Sequence, residues 1–158
     1  MTRRNRWLVY SVILAALLAL LTGCAPQAAQ PVATAAVTVA APDTAGTYTA
    51  KDDVALYLHI YGHLPENFIP KARARALGWE GGGLEDIAPG MCIGGDVFGN
   101  YEGLLPTAEG RVYRECDIGT LGKDSRGAQR IVYSNDGLIY YTDDHYASFT
   151  LLYGVNGT

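Results

Sequence analysis

Basic residues are scarce in this 158-residue chain, which has 12 Lys and Arg against 16 Asp and Glu. Three of the twelve, Arg3, Arg4 and Arg6, lie in the first six residues, so the rest of the chain is more acidic than the whole. Broad, nonspecific binding of nucleic acid depends on many Lys and Arg side chains that neutralise phosphates. The composition therefore excludes a broad basic surface, and any contact with a polyanion must be local.

Long apolar runs are also missing. The longest, residues 7–21, falls short of the about 20 residues that a membrane-spanning helix needs, and it follows the basic start. This pattern predicts a cleaved signal peptide over residues 1–23 rather than a membrane span. The tetrapeptide Leu21-Thr22-Gly23-Cys24 resembles the lipobox of bacterial lipoproteins, which predicts lipidation of Cys24. The alternative is an ordinary signal peptide with an incidental cysteine.

The next segment, residues 24–46, carries one charge, Asp43, and consists mostly of Ala, Pro, Gln, Thr and Val. Such a segment cannot build a core, so we predict a lipidated cysteine followed by a flexible tether. Residues 47–158 then form a single domain. The expected location is the outer face of the cell membrane, or the extracellular space if the lipobox is not used.

Helical patterns come first within the domain. Residues 49–52 resemble a capping box ahead of apolar residues at helical spacing, which predicts a first helix that ends at Gly62. A second helix is predicted over residues 71–77, ending at Gly78, and a short helical turn over residues 84–87.

Strand patterns follow the helices. The turn signal Ser134-Asn135-Asp136-Gly137 predicts a hairpin between two of the strands. Helices followed by antiparallel strands indicate an α+β domain, with the helices on one face of the sheet. The five predicted strands cover residues 92–98, 111–118, 128–133, 138–142 and 147–152.

A set of short motifs, in a fixed order from residue 54 to residue 152, resembles the barnase and binase type of small microbial ribonuclease. The resemblance implies a twisted five-stranded antiparallel sheet with N-terminal helices on one face and an active site on the other. The matching motifs are Tyr61 with Leu64-Pro65, Ala76-Leu77-Gly78-Trp79, Ala88-Pro89-Gly90, Ile93-Gly94-Gly95-Asp96, Asn100 with Glu102-Gly103, Gly110-Arg111, Arg114-Glu115, Asp117-Ile118, Arg130-Ile131, Tyr133-Ser134 and Asp144-His145-Tyr146.

The resemblance also implies a reaction, the cleavage of RNA after guanosine. Glu115 would be the general base and His145 the general acid, while Lys71, Arg126 and Arg130 would stabilise the charge on the phosphate. No metal or other cofactor is expected, because the ribose 2′-hydroxyl of the RNA is itself the nucleophile. Taken singly, Glu115 and His145 also fit a solvated strand residue and a surface turn, so their weight comes from the combination.

Guanine recognition is implied for the loop after the first predicted strand. Backbone groups of Gly99, Asn100 and Tyr101 would meet the base, Glu102 would accept hydrogen bonds from it, and Tyr146 would stack on it. The family commonly has an arginine at position 101. Its replacement by tyrosine predicts that the guanine preference survives while the electrostatic attraction for RNA weakens.

Several other residues have structural interpretations. A lysine in the first helical turn opposes the helix dipole, so Lys71 is either a phosphate ligand or a solvated lysine tolerated at small cost. We expect a buried ion pair between Arg111 and Asp136, hydrogen bonds from Asp96 that fix the guanine loop, and a core position for Trp79. His59 and His63 match no catalytic position and are also interpreted as structural.

Two cysteines remain in the domain. If the first two strands form a hairpin centred on residue 104, Cys92 and Cys116 lie equally far from its centre and face each other. This predicts a candidate disulfide between Cys92 and Cys116 in an oxidising compartment, with two buried thiols as the alternative.

The leading hypothesis is a monomeric, metal-independent endoribonuclease that acts on single-stranded RNA outside the cell. Expected partners are the RNA substrate, the membrane through Cys24, and an acidic inhibitor protein of the barstar kind. Two alternatives stay open: a weakly catalytic surface module that binds such an inhibitor, and a purely structural lipoprotein. Retention of Glu115, Arg130 and His145 argues against both.

Overall fold

The computed structural model describes residues 40–155. The predicted signal peptide, the lipidation of Cys24 and most of the tether lie outside these residues. Within residues 40–155 no helix has the length and apolar character needed to cross a bilayer. Residues 42–44, predicted as tether, already contact the domain, since the Tyr61 hydroxyl donates a hydrogen bond to the Pro42 carbonyl oxygen at 2.6 Å.

The α+β architecture predicted from the sequence is confirmed. Helix α1 spans Lys51–Tyr61 and helix α2 spans Lys71–Ala76. A six-stranded sheet follows the strand order β1-β2-β3-β4-β5-β6, with β1 parallel to β2 and the other neighbours antiparallel. The strands are β1 Phe68–Ile69, β2 Cys92–Phe98, β3 Tyr113–Asp117, β4 Arg130–Ser134, β5 Ile139–Thr142 and β6 Thr150–Tyr153.

A local difference from the sequence prediction concerns a short element. Strand β1 was not predicted because two residues are too few to show an alternating pattern. The short helical turn predicted over residues 84–87 is present as a single hydrogen-bonded turn, in which the Ala88 amide donates to the Leu84 carbonyl oxygen at 2.7 Å. The predicted hairpin is present, since β4 and β5 pair on either side of the turn that follows Ser134.

The predicted capping box does not form at the start of α1. Ala50 is the N-cap residue and makes no side-chain cap. The Thr49 hydroxyl instead accepts a hydrogen bond from the Thr120 amide at 3.1 Å, because the chain after β3 packs against this end of the helix. The helix ends as predicted at Gly62, whose φ of 72° lets its amide donate to Leu58.

The two faces of the sheet are packed differently. Helix α1 buries Val54, Ala55 and Leu58 against one face, together with the Cys116 side chain. Because side chains alternate along a strand, Glu115 and Asp117 on either side of Cys116 point to the opposite face. An aromatic-rich cluster fills part of that opposite face: Leu105, Tyr113, Val132, Leu138 and Tyr140.

The structure contradicts the predicted disulfide, since Cys92 and Cys116 are both buried free thiols. The residue opposite Cys116 is Gly94, and a bulge between Gly94 and Asp96 shifts the register of the β2–β3 pair. Only glycine fits at this point, because a Cβ atom on Gly94 would lie 2.7 Å from the Cys116 Cβ. The pairs Phe98–Tyr113 and Val97–Arg114 centre the hairpin between residues 105 and 106, so counting from residue 104 misplaced the partner of Cys116.

Candidate active site

An open cleft of about 690 Å³ lies on the sheet face opposite α1. It brings together all ten residues for which the sequence predicted a catalytic or base-binding role. Four further side chains line it: Val97, Phe98, Leu104 and Ala147. The ten predicted residues are Lys71, Gly99, Asn100, Tyr101, Glu102, Glu115, Arg126, Arg130, His145 and Tyr146.

Glu115 lies on the floor of the cleft and is 7% exposed. Its two carboxylate oxygens accept hydrogen bonds from the Lys71 ammonium and the Tyr146 hydroxyl, respectively. Burial raises the pKa of the Glu115 carboxyl, but these two hydrogen bonds and the charges of Lys71 and Arg126 outweigh it. The pKa of Glu115 therefore lies below its ordinary value, and the carboxylate is ionised at neutral pH.

Lys71 is the first residue of α2, and its backbone amide donates to the Asp96 carboxylate at 3.0 Å. The start of this six-residue helix is thus already occupied by an anionic side chain of the protein. Asp96 was expected to fix the guanine loop, and this expectation is wrong, because its carboxylate accepts a hydrogen bond from the start of α2 instead. Asp96 and Glu115 together hold Lys71 by its backbone and its side chain.

Asp117, which is 1% exposed, binds both arginines of the cleft. Arg126 donates to it from Nε at 2.6 Å and from Nη2 at 2.8 Å, which raises the pKa of the Arg126 guanidinium. Arg130 is 2% exposed, and its Nε forms an ion pair with Asp117 at 2.9 Å. Arg130 Nη1 also donates to the carbonyl oxygens of Arg126 and Gln129. A buried arginine needs such partners to offset its desolvation.

His145 and Tyr146 lie in the turn between β5 and β6 and both adopt positive φ, at 58° and 76°. Residues with side chains rarely adopt this conformation, and such strain is concentrated at functional sites. Asp144 holds the turn, since it accepts hydrogen bonds from the Thr142 hydroxyl at 2.8 Å and from both the amide and hydroxyl of Ser148. The His145 imidazole is exposed, and within residues 40–155 no hydrogen bond to it is present.

The loop after β2 forms another wall of the cleft. The Asn100 side chain exchanges two hydrogen bonds with the backbone of Leu105, at 2.9 and 3.0 Å, and Asn100 itself has a φ of 45°. The side-chain amide of Asn100 therefore fixes the loop and does not face the cleft. The Tyr101 ring is 93% exposed and lies against Gly99, where a Cβ atom would come within 2.3 Å of the ring. Glu102 is exposed beside it.

An aromatic contact joins the loop to the turn that carries His145. The Phe98 ring centroid lies 5.2 Å from that of Tyr146, and Phe98 also contacts Phe149. These rings extend the cluster on the second sheet face up to the cleft. The packing fixes the spacing between the two sides of the site.

The residues that the sequence analysis interpreted as structural lie outside the floor of the cleft. Arg111 and Asp136 form an ion pair at 2.7 Å, but it is not buried as expected, since the Asp136 side chain is 43% exposed at the tip of the hairpin. Trp79 is confirmed in a core position and is 7% exposed. His59 is exposed and stacks on Tyr153, away from the cleft residues.

Sequence reasoning missed the role of Asp117. The available signal was its position two residues after Glu115 on the same strand, which places both carboxylates on one face of the sheet. The link between the Tyr146 hydroxyl and Glu115 was also missed, because no sequence pattern relates a turn residue to a strand residue 31 positions away.

Comparison with known proteins agrees with this arrangement. The chain is 55% identical over 101 residues to a ribonuclease from Bacillus intermedius. The aligned segment covers 63% of this chain and 62% of that protein. A ribonuclease from Heyndrickxia coagulans is 55% identical over 100 residues, which are 62% of this chain and 91% of the relative. Guanyl-specific ribonuclease St from Saccharopolyspora erythraea is 46% identical over 57 residues, or 36% of this chain and 56% of its own.

A sequence model of the ribonuclease family matches residues 51–153, which include every residue of the cleft. This match covers well over half of the chain, and it confirms the resemblance to the barnase and binase type of ribonuclease. The chain belongs to the ribonuclease family.

Proposed function

We propose that this protein is an endoribonuclease that cleaves single-stranded RNA after guanosine, without a metal, through a 2′,3′-cyclic phosphate. The observation that carries the proposal is the meeting of Glu115, His145 and three cations in one cleft. The family match and the names of the relatives support RNA cleavage. The chain spans 62% of the length of the first of these relatives.

In the first step, Glu115 accepts the proton of the ribose 2′-hydroxyl as that oxygen attacks the phosphorus. The lowered pKa of Glu115 keeps it ionised and able to accept. His145, whose imidazole is exposed in the cleft, donates a proton to the departing 5′-oxygen. The new bond joins the 2′-oxygen to phosphorus, the P–O5′ bond breaks, and the product carries a cyclic phosphate.

In the second step the roles reverse. A water molecule attacks the cyclic phosphate and gives its proton to His145. Glu115 returns a proton to the leaving 2′-oxygen. A 3′-phosphate results. In both steps the negative charge that develops on the phosphate oxygens lies near Lys71, Arg126 and Arg130, whose fixed charges stabilise the transition state. Asp117 holds the two arginines before substrate binds, so little reorganisation is needed.

Guanine preference rests on the loop after β2. Glu102 offers a carboxylate that can accept hydrogen bonds from the N1 and N2 groups of guanine, and a base without these donors leaves that carboxylate less well satisfied. Tyr146 offers a ring on which the base can stack, already packed against Phe98. Relatives that include ribonucleases St and Sa3 are named as guanyl-specific, and these names support the same preference here.

The test compares hydrolysis of GpU and ApU by the protein and by four variants. Glu115→Gln and His145→Ala should lower kcat/KM about a hundred- to ten-thousandfold, the usual contribution of a general acid or base. Glu109→Gln and His59→Ala are the matched controls, because both residues are exposed and lie outside the cleft. Added chelator should leave the rate unchanged. Equal hydrolysis of the two substrates would refute the guanine preference. No hydrolysis of either substrate would refute the proposed ribonuclease activity.

We also propose that the protein is exported and that a lipid on Cys24 holds it at the outer face of the cell membrane. The support comes from the sequence, in which a basic start and an apolar run precede the lipobox-like Leu21-Thr22-Gly23-Cys24. Radiolabelled palmitate should label the protein but not its Cys24→Ser variant. Label retained in that variant would refute the anchor while leaving the catalytic proposal intact.

A further inference from the structure

Helix α2 carries three cations in an otherwise acidic chain, at alternating positions in the sequence KARARA. Positions four apart share a helix face, whereas positions two apart do not. Lys71 and Arg75 are therefore on the same side of α2, and Arg73 lies on a different side. Lys71 lines the cleft, so Arg75 continues the cleft's positive charge one helical turn further on.

Arg75 is tied to the cleft through Trp79. Its guanidinium carbon lies 5.9 Å from the centroid of the Trp79 ring, and that of Arg126 lies 5.8 Å from the same centroid. Both distances are within the range of a cation–π contact. One buried indole thus contacts an arginine of the cleft and an arginine outside it.

Arg75 is also free of carboxylates. Arg126 and Arg130 are both neutralised in part by Asp117, and Lys71 by Glu115. Among residues 40–155, by contrast, neither an ion pair nor a side-chain hydrogen bond of Arg75 is present. Its charge therefore remains available to an anion from solvent, and an RNA longer than a dinucleotide brings further backbone phosphates to either side of the scissile one.

We infer that Arg75 binds a second backbone phosphate of the RNA, adjacent to the phosphate that Lys71 and Arg126 hold. This rests on the proposed function, and it adds a binding site for substrates longer than a dinucleotide. Trp79 orients both guanidinium groups, so the two phosphates are bound by a connected pair of cations. The site gives an acidic protein a local attraction for the RNA backbone.

The test measures binding rather than cleavage, with oligonucleotides in which 2′-deoxyguanosine removes the nucleophile. The probes are a dinucleotide with one phosphate and two trinucleotides with a second phosphate on the 5′ or the 3′ side. Arg75→Gln should weaken binding of at least one trinucleotide roughly three- to fivefold, as for an exposed ion pair, and leave the dinucleotide unchanged. The slope of log Kd against log salt concentration for that trinucleotide should fall by about 0.7, the value for one phosphate contact with a single strand.

Arg73→Gln is the matched control, because Arg73 is an exposed arginine of the same helix that lacks the contact with Trp79. Arg75→Lys should restore most of the salt dependence. Equal losses in the Arg73 and Arg75 variants would overturn the inference, as would an equal loss on the dinucleotide, which would show that Arg75 merely supports Arg126. If the unmodified ribonucleotides are not cleaved while the Arg75 effect on binding persists, the proposed reaction fails and the phosphate site stands.

Discussion

Asp117 holds Arg126 through two hydrogen bonds, from Nε at 2.6 Å and from Nη2 at 2.8 Å, and at the same time lies 2.9 Å from Nε of Arg130. One buried carboxylate thus sets the position of two cations. The arrangement leaves the guanidinium groups charged and oriented before any substrate arrives. It also makes the fold and the site depend on the same side chain.

Replacing Asp117 should therefore damage both stability and activity. Asp117→Ala leaves Arg130 buried without its ion pair, a change that costs about 3–5 kcal/mol of unfolding free energy in buried pairs. Urea denaturation measures this loss. The control is Asp136→Ala, whose ion pair with Arg111 is half exposed and should contribute less than about 1 kcal/mol. Similar losses in the two variants would contradict the assigned role of Asp117.

Removal of Lys71 should change the pH dependence of cleavage. Lys71 donates a hydrogen bond to Glu115 and lowers its pKa, in opposition to burial, which raises it. In Lys71→Gln the pKa of Glu115 should rise, so the acid limb of the kcat/KM profile should move to higher pH. Lys51→Gln serves as the control, since Lys51 lies over the Tyr141 ring away from the cleft. An acid limb that stays in place would show that Glu115 is not the base.

The turn that carries His145 should depend on Asp144. Hydrogen bonds from Ser148 and Thr142 lower the pKa of Asp144 to about 2, so the carboxylate remains ionised, and the turn intact, until the pH approaches that value. Asp144→Ala should lower kcat on GpU about ten- to a hundredfold, because a small misplacement of an acid or base has effects of this size. Asp143→Ala, at the exposed neighbouring position, should have little effect. Equal kcat values in the two variants would contradict this explanation.

The two domain cysteines should be unreactive while the protein is folded. Cys116 is fully buried, Cys92 is 1% exposed, and burial raises the pKa of the Cys116 thiol. In a Cys24→Ser background, a thiol reagent should label neither cysteine without denaturant and both in its presence. An intact mass that is lower by two hydrogens, with no labelling in denaturant, would instead show a disulfide.

Much of this organisation was predictable from the sequence, and the exceptions have physical reasons. Periodicity and turn residues predicted α1, the hairpin after Ser134 and the antiparallel strands, because these features depend on local patterns. The bulge next to Gly94 was not predictable, since register depends on which side chains pack across strands. The expected cysteine bridge fails for a different reason: the β2–β3 hairpin is centred between residues 105 and 106 and not at residue 104, so Cys116 faces Gly94 and not Cys92.

The same distinction holds for the site. The motifs indicated which residues meet in the cleft, and the structure brings all of them together. They did not indicate how these residues are held. Asp96 contacts α2 instead of the guanine loop, and Tyr146 donates to Glu115, because both contacts join segments far apart in the chain. Such contacts depend on the folded topology and not on local sequence.

The most direct test of the central claim is a ³¹P NMR time course of GpU incubated with the protein and with its Glu115→Gln variant. We predict that guanosine 2′,3′-cyclic phosphate accumulates first and is then converted to guanosine 3′-phosphate, with both conversions slowed strongly in the variant. Direct release of a 3′-phosphate without the cyclic species, or an unchanged rate of cyclic phosphate formation in Glu115→Gln, would contradict the account.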